Sequence, residues 1–247
     1  VSEVSASAFV KALRAEGLTV KQFRKNWQNH NRNSVKRPNR HGVAVHHTAD
    51  DSSRIDQTCW TGRSDLPGPL CESVLHKDGL VVMVGYGRTN NFGMGDSHTF
   101  AVMTTEKGTL PAKPDLSDDI DFNSAVHAVE IVNLGNGKDP YPLKQQEAIV
   151  KWVTAACRVH GWSEKSVIGH KEGTRRKIDP SFDMAQLRRR VKEALALPAG
   201  EWKLITHPDP PPDPKPPVVD PKKKAFESLD AADQAIRNAR TWVTRIQ

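Results

Sequence analysis

The sequence predicts a mixed α/β domain with helical extensions at both ends. Short β-rich apolar runs at Gly42–His46, Leu80–Val84 and Ala125–Asn133 have the length of buried strands. Leu143–His160 and Asp183–Leu197 repeat apolar residues every three to four positions, as amphipathic helices do. A proline-rich run at 207–221 then separates this body from a last segment of different pattern.

Taken in order, residues 1–34 read as a helical N-terminal segment. Val4, Phe9, Val10, Leu13 and Leu18 lie at roughly helical spacing, with Gly17 as a stop. The pattern predicts a second short helix over Val20–Trp27, and polar, basic Asn29–Arg40 reads as a loop. Residues 35–200 form the main α/β domain. Its long helix buries Ala148, Ile149, Trp152, Val153, Ala156 and Cys157. Its last helix presents Met184, Leu187, Val191, Ala194 and Leu195 on one face, and Pro198 and Gly200 end it. Residues 201–221 are a linker whose prolines keep it extended and semi-rigid. Residues 222–247 form a C-terminal helix with a heptad-like seam: Leu229, Ala232, Ile236, Ala239, Val243 and Ile246 are spaced 3, 4, 3, 4 and 3. That seam suits a homo-oligomer or docking to a partner. Folding back on its own domain and wall binding are the other uses.

Composition narrows the function. The hydrophobic fraction is 37% and the mean hydropathy −0.59. No apolar run approaches the roughly 18 residues of a membrane span. The start, Val1-Ser2-Glu3-Val4, lacks the basic and apolar regions of a secretory signal, although the missing initiator Met leaves open that a leader or the Met was removed. The net charge of +7 favours polyanionic partners, nucleic acid or an acidic bacterial wall. Nucleic acid is disfavoured because the basic residues are scattered without interleaved aromatics. Arg188-Arg189-Arg190 reads as the solvated face of a helix. Cys59, Cys71 and Cys157 have no CxxC spacing. Cys59 and Cys71 are near enough in sequence to be bridged, and buried thiols are the alternative.

Three motifs carry chemistry. In Val43-Ala44-Val45-His46-His47-Thr48-Ala49 a strand delivers a histidine from a rigid platform, which suits a metal ligand. Taken alone, a histidine pair is more often structural. Val167-Ile168-Gly169-His170, followed by Lys177-Ile178-Asp179-Pro180, adds a second histidine and a carboxylate. Two histidines and one carboxylate leave a zinc ion its fourth position for water, as catalytic zinc sites require. Lys177 and Asp179 lie two apart, which in extended chain turns both to one side. A cation beside the ligand would stabilise a developing oxyanion. In His127-Ala128-Val129-Glu130-Ile131-Val132-Asn133 a carboxylate interrupts an apolar strand, which is costly unless paired or functional. Glu130 is a general base for zinc-bound water or a salt-bridged edge residue, and spacing does not choose between them.

In combination and order, HHTA, a Gly-Pro-Leu stretch with a Lys-Asp-Gly turn, VEIVN and GH…KxDP resemble the type 2 N-acetylmuramoyl-L-alanine amidase family. That family includes phage endolysins and is related to peptidoglycan recognition proteins. The resemblance spans about residues 40–197. It implies a mixed central β-sheet flanked by helices, with zinc in a surface groove. It puts the zinc ligands on His46, His170 and Asp179, the catalytic lysine on Lys177 and the strand carboxylate on Glu130, while His47 faces away. The implied activity is hydrolysis of the amide between N-acetylmuramic acid and L-alanine in peptidoglycan. A phage lysin is the expected setting, in the host cytoplasm and then at the wall, or in the virion. The alternative is a non-catalytic peptidoglycan-binding module of the same fold. Two features depart from the family. Asn91 stands where relatives often have a histidine, so a groove contact differs. Thr104–Asn123 is longer and more acidic than a compact member needs and reads as a loop over the groove; Tyr86 is a candidate groove residue or a turn residue capping a strand.

Overall fold

A computed structural model describes residues 3–32, 40–111 and 116–204. The expected linker beyond residue 204 and the heptad-patterned segment 222–247 lie outside the described residues.

The chain opens with α1 (Ala6–Ala15), whose N-cap Ser5 accepts a hydrogen bond from the Ala8 amide. β1 (Val20–Gln22) and β2 (Val43–His47) follow. Next come α2 (Ile55–Thr61) and a small hairpin of β3 (Gly62–Arg63) and β4 (Leu66–Pro67). β5 (Ser73–Leu75) and β6 (Val81–Met83) are antiparallel neighbours. A second small pair, β7 (Met94–Gly95) with β8 (Ile120–Asp121), brackets α3 (Ser97–Thr105). The chain then runs through β9 (His127–Ile131), α4 (Leu143–His160), β10 (Val167–Gly169), α5 (His170–Gly173) and α6 (Met184–Leu195).

The central sheet has the order β1-β6-β5-β9-β2-β10. β5, β9, β2 and β10 are parallel to one another, whereas β6 is antiparallel to β5 and parallel to β1, so the sheet is mixed. Strand alternation divides its two faces. Val43 and Val45 of β2, Val129 and Ile131 of β9, and Val167 of β10 turn to the side covered by α1, α4 and α6. Ala44 and Ile168 turn to the other side, beneath Phe92, Met103 and Phe122. His46 and Glu130 fall on this second face, and His47 on the first.

α1 is part of the main core. Phe9, fully buried, stacks on the His127 ring at 4.7 Å and meets the edge of Trp152 at 5.6 Å. Trp152 is itself buried and donates its indole N–H to Ser73 Oγ at 2.8 Å. Phe9→Ala leaves a cavity between β9 and α4. The expected loss is about 3–5 kcal/mol of folding stability, read from the denaturant midpoint, with metal affinity of the folded fraction unchanged.

The expected second helix at Val20–Trp27 is a correction. Val20–Gln22 is an edge strand with Val20 opposite Val81, and a 3-10 turn occupies Trp27–Asn29. Backbone pairing to β6 and burial of Val20 and Trp27 in the core outweigh the helix-like spacing of Val20, Phe23 and Trp27. Of the two uses expected for Tyr86, the groove position is excluded. Tyr86 is buried on the helix-covered side and donates its hydroxyl to the Val4 carbonyl at 2.6 Å, so it does not line the groove. All three cysteines are buried and unbridged. Among the described residues no helix is long and apolar enough to cross a membrane.

Candidate metal centre

Three adjacent parallel strands, β9, β2 and β10, end at one edge of the sheet. In open α/β sheets the carboxyl ends of parallel strands are where ligands gather. Here they deliver Glu130, His46 and, one residue past β10, His170. Glu130 and His46 are register partners. Asp179 arrives on the loop after α5, pinned by the Lys171 amide, which donates to the Asp179 carbonyl at 2.7 Å.

His46 Nδ1 lies 3.0 Å from His170 Nδ1 and 3.1 Å from Asp179 Oδ2, and His170 Nδ1 lies 3.2 Å from the same oxygen. All three residues are buried. His46 Nδ1, His170 Nδ1 and Asp179 Oδ2 thus face one point, a donor set of the kind that holds a metal cation. Tetrahedral zinc, with bonds of roughly 2.0–2.1 Å, spaces its ligand atoms at about 3.3 Å, close to the separations seen. His46, His170 and Asp179 could therefore hold a metal ion. Unmet polar capacity also collects here: His46 Nε2 and Glu130 Oε2 are buried with no hydrogen-bond partner among the described residues.

The electrostatics match a cation-binding set. Burial and the neighbouring His46 hold the His170 imidazole down at about 4, so it is neutral near pH 7, as a ligand must be. Burial pushes Asp179 up, but hydrogen bonds from His170 and His46 outweigh it and keep the carboxyl well below the usual range. Burial opposes charge on His46, yet Asp179 and Glu130 raise its pKa overall. Glu130 behaves differently. Burial, reinforced by the Asp179 charge, pushes it up to about 7 despite His46, Lys177 and Arg63. A carboxylate tuned to that value can take and return a proton near neutral pH.

Lys177 is exposed at the rim, and its charge is felt at Glu130 and both histidines. His47, on the opposite face, is buried, with Nδ1 3.5 Å from the Tyr141 hydroxyl.

Supports around His170 had no sequence signal. Its Nε2–H donates to the Phe92 carbonyl at 3.1 Å, and the Phe92 ring lies 4.3 Å from the imidazole. Glu172 Oε2 accepts the Gly169 amide at 3.0 Å, and both Glu172 oxygens are held by Arg188 at 2.8 Å. Arg188 thus departs from the solvated face expected of the arginine triplet, with a side chain only 11% exposed. An arginine in a helical polar stripe announces no buried partner, so the sequence alone could not separate it from Arg189.

Residues 36–182 match the family described as N-acetylmuramoyl-L-alanine amidase, Amidase_2. The chain belongs to this family, whose chemistry is amide cleavage in peptidoglycan. Among solved structures it is similar to the N-acetylmuramoyl-L-alanine amidase LysC from Clostridium intestinale URNW, at 12% identity and a TM-score of 0.47, over 70% of this chain and 97% of that one. It is also similar to the endolysin of Thermus scotoductus bacteriophage Ph2119, at 12% identity and a TM-score of 0.45, over 69% and 97%. Similarity to a Drosophila peptidoglycan recognition protein, PGRP-SA, is at 13% identity and a TM-score of 0.37, over 74% and 93%. No curated protein sequence matches the chain.

Proposed function

We propose that the protein is a zinc-dependent N-acetylmuramoyl-L-alanine amidase that works as a phage lysin. The observation that carries the reading is the convergence of His46 Nδ1, His170 Nδ1 and Asp179 Oδ2 within 3.2 Å, with the unpartnered Glu130 oxygen on the adjoining strand. Two imidazoles and one carboxylate suit zinc, and three protein ligands leave a position open. When bound, zinc lowers the pKa of water towards about 7 and polarises the amide carbonyl.

The remaining work falls to the chain's own residues. Glu130 removes the proton from the attacking water. It then delivers that proton to the alanine nitrogen, which leaves as a neutral amine. Lys177, at the open rim, places its ammonium against the oxygen that gains negative charge. Lys177→Met should lower kcat by about 10²–10³-fold with little change in KM or zinc content, measured by steady-state hydrolysis and metal analysis. An equal rise in KM with kcat intact would instead make Lys177 a substrate-binding residue.

The net charge of +7 draws the protein towards acidic wall polymers, which fits action on the wall from the host cytoplasm. Residues 222–247 are the proposed element for self-association or virion attachment. Mass spectrometry of purified virions tests the second of these. For the reaction itself, the test is product analysis of digested peptidoglycan. Release of intact stem peptides with a free L-alanine amino terminus supports the proposal. Wall binding by zinc-loaded protein with no release would leave a binding module.

A further inference from the structure

The acidic segment that ends at Asn123 has no part in the chemistry above, yet it is joined to the metal centre through the backbone. Asn123 Oδ1 accepts hydrogen bonds from three successive amides: Asn91 at 3.0 Å, Phe92 at 2.8 Å and Gly93 at 3.1 Å. Consecutive N–H groups turned to one oxygen form a concave nest, and Gly93 supplies the positive φ (+76°) that such a turn needs. The same stretch is gripped again by the Phe122 amide, which donates to the Gly93 carbonyl at 3.0 Å, and by the pairing of Met94 with Asp121. Phe122 stacks on Phe92 at 4.3 Å. Arg88 anchors the segment from outside through Asp121 at 2.8 Å.

What this grip fixes is the Phe92 carbonyl, the acceptor for His170 Nε2–H. An imidazole that donates from one nitrogen presents a lone pair at the other, and the acceptor's position sets the ring's tautomer and orientation. Asn123 is buried, with its oxygen spent on the three amides. Resting on the metal-centre reading above, we infer that Asn123 is a positioning residue for the metal ligand His170, acting through the Phe92 carbonyl. The segment 116–123 is thereby a structural support of the metal centre. Phe92–Asn123 is an outer layer that the ligand motifs do not contain.

The test compares Asn123→Ala with Asn123→Asp, which keeps an acceptor oxygen for the nest. Zinc affinity is measured by chelator competition, and ligand geometry by the visible absorption bands of the cobalt(II)-loaded protein. Asn123→Ala should weaken zinc binding by about 10–100-fold and alter the cobalt bands, while Asn123→Asp stays near wild type in both. A folded Asn123→Ala protein with affinity within about twofold of wild type and unchanged bands overturns the inference. Wild-type protein that binds neither metal overturns the metal-centre reading itself, an outcome separate from any effect of Asn123. Should Asn123→Ala fail to fold, nitrogen-15 NMR of the wild-type His170 ring decides: the Nε2–H tautomer supports the inference, and the Nδ1–H tautomer overturns it.

Discussion

Replacing His46 with alanine should remove both bound zinc and amidase turnover. His46 contributes one of three convergent donor atoms and lies 3.0 and 3.1 Å from the other two. Its loss leaves His170 and Asp179 as a two-ligand set, too few for a tetrahedral site with one open position. A small side chain on a buried strand also admits water where a ring had filled space. Activity in purified His46→Ala should fall by at least about 10³-fold, with rescue by excess zinc incomplete. The paired measurement is zinc per chain by elemental analysis, expected near zero. The neighbouring His47→Ala is the control. His47 faces Tyr141 on the far side of the sheet, so its replacement should leave zinc content at the wild-type level. Equal zinc loss in both variants would mean that strand disruption, and not ligation, governs binding.

The second large effect belongs to Glu130. Glu130→Gln keeps the shape of the side chain and removes its ability to accept and return a proton. Turnover should fall by about 10²–10⁴-fold with zinc content intact, which separates this variant from His46→Ala. The pH profile adds a sign. Glu130 must be anionic to act as a base, so kcat/KM should rise as pH increases through its pKa. Burial and the Asp179 charge push that pKa up to about 7, and a bound cation draws it lower. The acid limb should therefore turn at or below about pH 7 in the wild type and be missing from the residual activity of Glu130→Gln. A wild-type limb that persists unchanged in the variant would assign the titration to another group.

Much of this arrangement could be read from residue types. The long helix stands at Leu143–His160, where its apolar period placed it, although burial runs on through the whole of Ala148–Cys157, Lys151 and Thr154 included. β2 and β9 stand where β-branched and small apolar residues run together, because a strand covered on both faces has no polar alternation to hide. The edge strand at Val20–Gln22 was illegible for the opposite reason. Three residues carry too little pattern, and pairing with β6 decided their state. α3 lacks an apolar stripe and holds Thr99, Thr104 and Thr105 among its nine residues, so its start is marked only by Asp96, whose carboxylate caps the Thr99 amide.

The candidate ligands were visible because imidazole and carboxylate are the side chains such chemistry requires, arriving in a family order. Their supports were not. Phe92 serves through a carbonyl that every residue has, and Asn123 through amides contributed by other residues. The first role needs no particular side chain, and the second only an acceptor oxygen of a kind common throughout the chain, so neither stands out in a single sequence. The acidic residues near Asn123 suggested a loop over the groove. Among the described residues of that segment, Asp119 binds Ser97, Asp118 binds Arg176 and Asp121 binds Arg88, so these charges fasten it down.

Zinc dependence is decided by a zinc titration of chelator-stripped protein, followed by release of L-alanine-terminated peptides from peptidoglycan. Negligible activity without metal, a linear rise, and a plateau at one zinc per chain are the expected results. Full activity in the stripped protein, with no response to added zinc, would contradict zinc dependence.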